Sequence, residues 1–446
     1  FLSQLRSTFE LSWPVVLTLL LQLLLQLVST IFVGQFNETA ALDAAGLGAS
    51  ILNIFGLSIS QGLASAVDTL APQALGGGQN QLVGLIMIRA LIIVGLVCFP
   101  AWTIFLNGEN VLLALHQDPK VAQLTAQYLR AGIFFMPAAI LNVLIQKYLQ
   151  TLEIVKPLFV IGIVLNILNL PICWTLIGGL RLGAFGAALA QAITAWIGVF
   201  ISLAYINKTR LYKGTWTGWT AGAFLDWSPF LKLAIPGMLM MCIEWWSFEI
   251  IQVIAGTMGE VFLATQLITL QLAGFLFVVP LGIGVAASVQ VGNALGGNKP
   301  QAAKRAAWSC AGFILLTSSM LSITLFLTRQ LIPRAFTSDA EVIDAVAGVI
   351  EILVAFIFAD HTQGTLSGIL RGCGLQYFGA IVNAVGYYCI SFPSIYLFVY
   401  RGHMGVRGLW MAMFLGVAFQ TIAMLVRVST LNWEEQAQMA QERAKI

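Results

Sequence analysis

The amino-acid sequence predicts an all-α polytopic membrane protein, with about twelve transmembrane helices in two homologous six-helix lobes. Three observations carry this reading. Charged residues make up only 9% of the chain, long apolar runs recur between short polar breaks, and the first half of the sequence repeats in the second.

The scarcity of charge comes first. A soluble domain carries about a quarter charged residues. A chain of 446 residues with 9% cannot cover a water-facing surface of that size, so lipid must cover most of it. Length alone would suggest several soluble domains, and the dense apolar runs overrule that. The net charge of +3 comes without a basic run or an aromatic-interleaved patch, which excludes nucleic acid as a partner. Cys98, Cys173, Cys242, Cys310, Cys373 and Cys389 have no CxxC spacing, so neither a zinc site nor a disulfide framework is expected. The chain starts at Phe1 rather than Met, so an upstream segment is expected.

The spans follow from bilayer thickness. A core of about 30 Å needs roughly 20 apolar helical residues per crossing. That places spans near residues 10–33, 45–70, 83–106, 123–146, 157–178, 183–206, 231–256, 262–290, 303–328, 342–368, 378–400 and 405–428. An even number puts both termini on one side. Lys147, Lys156, Lys208, Arg210, Lys213, Lys299, Lys304, Arg305, Arg371, Arg443 and Lys445 fall on that side, against fewer basic residues opposite. The termini are therefore expected in the cytoplasm. The sequon at Asn37 then faces outward, and the one at Asn207 is never glycosylated.

The repeat is the most informative feature. Gln73-Ala-Leu-Gly-Gly recurs as Asn293-Ala-Leu-Gly-Gly, about 220 residues later. At nearly the same offset Pro14 matches Pro236, Gly34 matches Gly256, Asp118-Pro-Lys-Val matches Asp339-Ala-Glu-Val, and Gly183-Ala-Phe-Gly matches Gly405-Val-Arg-Gly. Six spans per half make the halves parallel repeats about an axis along the membrane normal, an architecture of alternating-access transporters. The expected organisation is an N-lobe at 1–206, a cytoplasmic linker at 207–230 with Trp216, Trp219 and Trp227 as interfacial anchors, a C-lobe at 231–428, and a cytoplasmic tail at 429–446.

Several motifs together resemble one family. Asp68-Thr-Leu with Gln73, Ala286-Ala-Ser-Val leading into Val291-Gly-Asn-Ala-Leu-Gly, Glu244-Trp-Trp, Gly368-Ile-Leu-Arg-Gly, Asn383 with Gly386-Tyr-Tyr, and the Leu431-Asn-Trp exit resemble the multidrug and toxin extrusion (MATE) family, its eukaryotic branch above all. The resemblance covers nearly the whole chain. It implies a V-shaped pair of lobes and export of organic cations or xenobiotics against H⁺, with Na⁺ the less favoured coupling ion. The fold needs only one chain, so a monomer is expected, without cofactor or enzymatic activity, in the cell membrane or an organelle membrane. A lipid-linked precursor flippase of the same superfamily is the alternative; it would need a central arginine cluster, and no mid-span Arg pair is evident.

Within that frame the polar residues of the spans are the candidates. A carboxylate deep in a span is costly, so it is functional by default. Glu244 lies about twelve residues past Lys232, roughly 18 Å at helical rise and near mid-bilayer. Burial disfavours its ionised form, which suits a group that trades a proton for a cation; interhelical glue is the competing reading. Glu249 sits roughly 140° further around an ideal helix, so only an irregular turn would unite the two. Asp360 beside His361 matches an acidic family position, with a buried Asp–His pair as the alternative. Gln271 departs from the Glu that animal members often carry.

Trp245 and Trp246 offer cation–π contact worth about 0.5–2 kcal/mol. Adjacent residues point about 100° apart, so one is expected in the cavity and one outside, and Tyr387 and Tyr388 pose the same question. Gln22 is the N-lobe mate of Glu244 and is neutral, which assigns coupling to the C-lobe. Asn53, Asp68, Gln73 and Asn166 complete the N-lobe inventory. Asp68, Gln73, Asn293 and Arg371 read as gate or structural residues, Asp68 with a contact to Arg371 as one option. No phosphate loop, nucleophile elbow or HExxH occurs, so the driving energy is expected from an ion gradient.

Overall fold

A computed structural model describes residues 2–36, 39–216 and 218–444. Asn37, Glu38 and Lys445 lie outside the described residues. Among those described, 12 helices are long and apolar enough to cross a membrane. In chain order they are α1 (Gln4–Phe36), α2 (Thr39–Gly76), α3 (Asn80–Leu106), α4 (Pro119–Thr151), α5 (Lys156–Gly179), α6 (Gly183–Thr209), α7 (Ser228–Thr257), α8 (Glu260–Gly296), α9 (Pro300–Leu327), α10 (Ala340–Cys373), α11 (Gln376–Arg401) and α12 (Gly405–Ser429). A shorter polar helix, α13 (Trp433–Arg443), follows.

The repeat read from sequence is visible in the backbone. Asp118 and Asp339 cap α4 and α10 alike, each carboxylate accepting from the N–H groups two and three residues on. Such caps satisfy the orphan donors of a helix start. Arg181 and His403 share a left-handed φ of 52°, followed by Gly183 at 57° and Gly405 at 58°. The same tight turn therefore joins α5 to α6 and α11 to α12. Wider, π-helical turns close α5 at Trp174–Gly179 and α11 at Tyr396–Arg401. Two further π segments, Asn53–Leu57 and Val385–Ser391, occur each in one half only.

The chain forms two compact units, Leu17–Met238 and Phe1–Val16 with Leu239–Ile446, called here the N-unit and C-unit. The division differs from the lobe boundaries expected from sequence. It runs inside α1 and α7, in each case two residues beyond a proline, Pro14 or Pro236. The start of α1 belongs to the C-unit through a polar seam: Gln4 Nε2 and Thr8 Oγ1 donate to Gln290 Oε1 at 3.3 and 3.1 Å, and Gln290 Nε2 donates to Ser7 Oγ at 3.1 Å. Phe9 packs edge-on against Phe313.

The 207–230 segment, expected as a linker, folds onto the N-unit. Arg89 donates to the Gly222 carbonyl at 3.2 Å, and the Tyr148 and Thr215 hydroxyls lie 2.7 Å apart. Trp227 packs against the N-unit core.

Small residues set the closest approaches, as expected where lipid supplies no hydrophobic drive between helices. A Cβ at Gly368 of α10 would fall on the Gly284 carbonyl of α8, and one at Gly372 would meet the Ser288 backbone. These positions bring two span backbones into direct contact. At the same end of the C-unit, α13 docks through Trp433, Ala437 and Ala440. Its Gln441 donates to the Gly296 carbonyl at the end of α8, and Arg443 donates to the Cys373 carbonyl at the end of α10 at 3.0 Å. The tail helix thus satisfies carbonyls that the ends of two spans leave open.

Candidate functional site

Glu244 sits in the middle third of α7, whose helix is regular from Ser228 to Thr257. Its neighbours come from α10 and α11. Asn383 is fully buried; its Nδ2 donates to the Met240 carbonyl at 3.0 Å and reaches Glu244 Oε2 at 3.5 Å. Gln363 Nε2 lies 3.4 Å from Asn383 Oδ1, and its side chain also hydrogen-bonds Glu244. Asp360, 5% exposed, lies one turn before Gln363 on α10 and within Coulombic range of Glu244. Arg371, near the end of the same helix, also acts on Glu244 electrostatically.

An aromatic and amide wall backs these acids. Tyr387 is fully buried, with Gln420 of α12 beside its hydroxyl. Phe248 meets Tyr387 and Phe356 edge-on, both at 6.3 Å, and Phe356 meets Trp410 at 5.0 Å. Trp410 Nε1 donates to Gln266 Oε1 at 3.0 Å and to Thr269 Oγ1 at 3.2 Å. His361 is fully buried, and among the described residues neither ring nitrogen has a hydrogen-bond partner. It therefore makes no hydrogen-bonded pair with Asp360; adjacent helical residues diverge by about 100°.

The other candidates distribute unevenly. Glu249 is half-buried on the same regular helix, so no irregular turn brings it onto Glu244's face. Gln271 lies exposed on α8. Trp245 and Trp246 are both half-buried, so burial does not separate them. Tyr387 and Tyr388 do separate. The π segment of α11 turns Tyr387 into the unit and leaves Tyr388 40% exposed beside Phe392.

In the N-unit, Gln22 is exposed on α1 and Asn53 is half-buried where the π turn of α2 begins. Asn166 donates to the Leu21 carbonyl at 3.0 Å. Asp68 accepts from Lys147 of α4 at 2.6 Å, with about 15% of each side chain exposed. That ion pair lies within the N-unit. Gln73 is buried and Asn293 half-buried, each in the last turn of its span, α2 and α8.

Sequence reasoning missed Gln363, Gln420 and Lys147. Gln363 had a signal, because a residue three past Asp360 shares its helix face. Lys147 had none beyond its place at a span end, and Gln420 none beyond being an amide in an apolar run.

Known proteins share the repeat and the fold. The MatE family model matches the chain twice, at residues 14–175 and 236–397, so the two matches mark the two repeats. Multidrug and toxin extrusion protein 2 of Mus musculus is 39% identical over 97% of the chain and 76% of its own length. The human multidrug and toxin extrusion protein 1 is 36% identical over 100% of the chain and 78% of its own. Among solved structures, the eukaryotic MATE transporter AtDTX14 superposes with a TM-score of 0.94 at 27% identity, covering 100% of this chain and 99% of that one. A MATE transporter of Vibrio cholerae shares the fold, with a TM-score of 0.85 at 17% identity over 97% of this chain and 99% of its own. With twelve apolar spans, two matched repeats and relatives along its whole length, the chain belongs to the multidrug and toxin extrusion family of membrane transporters.

Proposed function

We propose that the protein is a proton-coupled antiporter that exports organic cations by alternating access, with Glu244 as the coupling acid and Asp360 sharing the task. The single observation that carries this is the placement of two carboxylates in the C-unit, the buried Asp360 and the half-buried Glu244, within Coulombic range of each other. Two such groups resist ionising together, because each charge raises the cost of the other. A proton can relieve that cost, and so can an arriving cation. Occupants that compete for one site, each disfavouring the other, are what exchange requires. Asn383 and Gln363 hold the Glu244 carboxylate in place, so the site keeps its geometry while the occupant changes. The names of the relatives, multidrug and toxin extrusion proteins, fit a broad substrate range. The Lys/Arg distribution supports cytoplasmic termini.

Purified protein in liposomes tests the reading. An outward pH gradient is expected to drive uptake of a radiolabelled quaternary ammonium ion, and an equal Na⁺ gradient at uniform pH is not. Binding of that ion is expected to strengthen as pH rises, because the deprotonated site attracts it. Uptake that follows Na⁺ and ignores pH would overturn proton coupling.

A further inference from the structure

Apart from the acidic site, which lies in the C-unit, the N-unit carries an unusual pair of cations. Arg130 of α4 and Arg181, in the turn between α5 and α6, line one cavity of about 410 Å³ with Gln127, Leu182 and Phe185. Among the described residues neither arginine has an ion pair or a hydrogen bond. An exposed arginine satisfied by water is ordinary. The internal repeat is what makes this pair informative.

The matching caps at Asp118 and Asp339, and the left-handed residues Glu153 and Gly374 that close the two helices, put α4 and α10 in register. In that register Arg130 corresponds to Glu351 and Gln127 to Gly348. The matching turns at Gly183 and Gly405 make Phe185 the mate of Arg407 and Arg181 the mate of His403. The C-unit supplies an acid there. Glu351 lies 3.7 Å from Arg329 Nε and 3.8 Å from Arg407 Nη2, and Gly348 leaves the room that the Arg407 guanidinium occupies. The N-unit keeps the backbone frame, but the described residues that line its pocket include two guanidinium groups and no acid. The left-handed backbone of Arg181 is shared with His403, so it belongs to the turn and not to a ligand.

We propose that the Arg130–Arg181 pocket is a phosphate site, in which a guest oxyanion takes the role that the Glu351 carboxylate plays in the other unit. Paired guanidinium forks match the geometry of phosphate oxygens. Arg181 sits between the last residue of α5 and the first of α6, the level at which a bilayer presents its headgroups. The phosphate therefore comes from an anionic phospholipid headgroup or from free phosphate.

Titration of delipidated protein with dioctanoyl phosphatidic acid, followed by native mass spectrometry, tests this, with dioctanoylglycerol as the phosphate-free control. Phosphatidic acid is expected to bind and dioctanoylglycerol is not. Arg130→Gln or Arg181→Gln should each weaken binding at least about tenfold, as loss of one charge-assisted hydrogen bond predicts, while Arg329→Gln should leave it unchanged. Arg130→Glu restores an acid opposite Arg181, so it should abolish binding without unfolding the protein. Competition by inorganic phosphate at comparable concentration would assign the site to free phosphate, and failure to compete would assign it to the lipid headgroup. Equal binding by wild type and the Arg130→Gln, Arg181→Gln double variant, or equal binding of dioctanoylglycerol, would overturn the proposal.

Discussion

In the N-unit, α2 and α4 are tied by an ion pair, Asp68 to Lys147. In the C-unit the equivalent helices, α8 and α10, are tied by bare backbone: Gly368 against Gly284 and Gly372 against Ser288, the residue in Asp68's place, whose hydroxyl turns back to its own helix at Val285. The polar side chains divide in the same way. Glu244, Asp360, Gln363, Asn383 and Gln420 gather inside the C-unit, whereas Gln22, the mate of Glu244, is exposed. Duplication supplied one frame twice, and close glycine packing in one copy has left its spans free to aim polar groups at each other. The other copy spends its charges on fastening helices.

On that division the largest effect belongs to the acid. Glu244→Gln keeps shape and hydrogen bonding but cannot release a proton, so gradient-driven exchange should fall at least about a hundredfold, with cation binding nearly independent of pH. Gln22→Glu should leave coupling intact. Wild-type exchange in the first variant would move the coupling role to Asp360 or Glu249.

Trp410→Ala removes a fully buried ring whose N–H serves Gln266 and Thr269. It should cost about 3–5 kcal/mol, read as a lower thermal midpoint in detergent. Trp410→Phe, which loses only the hydrogen bonds, should cost about 1–2 kcal/mol. Asp68→Asn should destabilise by about 3 kcal/mol, because it strands a largely buried Lys147. Replacing both partners by Leu should recover most of that loss, and if it does not, the pair does more than fasten α2 to α4.

Gly368→Ala drives a methyl into the Gly284 backbone and should cost about 1–3 kcal/mol. Lys147→Met, in the N-unit's version of the same helix pair, then tests whether charge and glycine contact are equivalent fasteners. The smallest effect should be Glu351→Gln, under about 1 kcal/mol, since about half of each Glu351 and Arg407 side chain is exposed.

Much of the frame was readable before the structure. The twelve spans follow from apolar length, and the repeat follows from short motifs in register. Where those motifs lie is where the backbone is constrained: caps at Asp118 and Asp339, left-handed turns at Gly183 and Gly405. The unit boundary was not readable, because apolar periodicity reports that α1 and α7 are spans and says nothing of which neighbours each stretch of them meets. Glu244 and Asp360 stood out because isolated acids in lipid are costly. Gln363 and Gln420 did not, since an amide in an apolar run carries no charge to flag it. The divergence of Tyr387 and Tyr388 depends on a π turn that no residue pattern announces.

The division inside α1 and α7 also has a consequence for biogenesis. A ribosome delivers the chain in order, at about 5–20 residues per second. Thr8 and its partner Gln290 are 282 residues apart, so the first turns of α1 wait on the order of tens of seconds for the surface they pack on. The N-unit waits as well. Gly237 and Met238, at the start of α7, close against Ser65 and Gly62 of α2, so the first unit is finished only when the second has begun to emerge. The C-unit is not a contiguous stretch of translation product, and the N-unit runs past the linker into α7. A chain cut anywhere between 207 and 230 would yield two incomplete fragments, each holding a piece that the other needs.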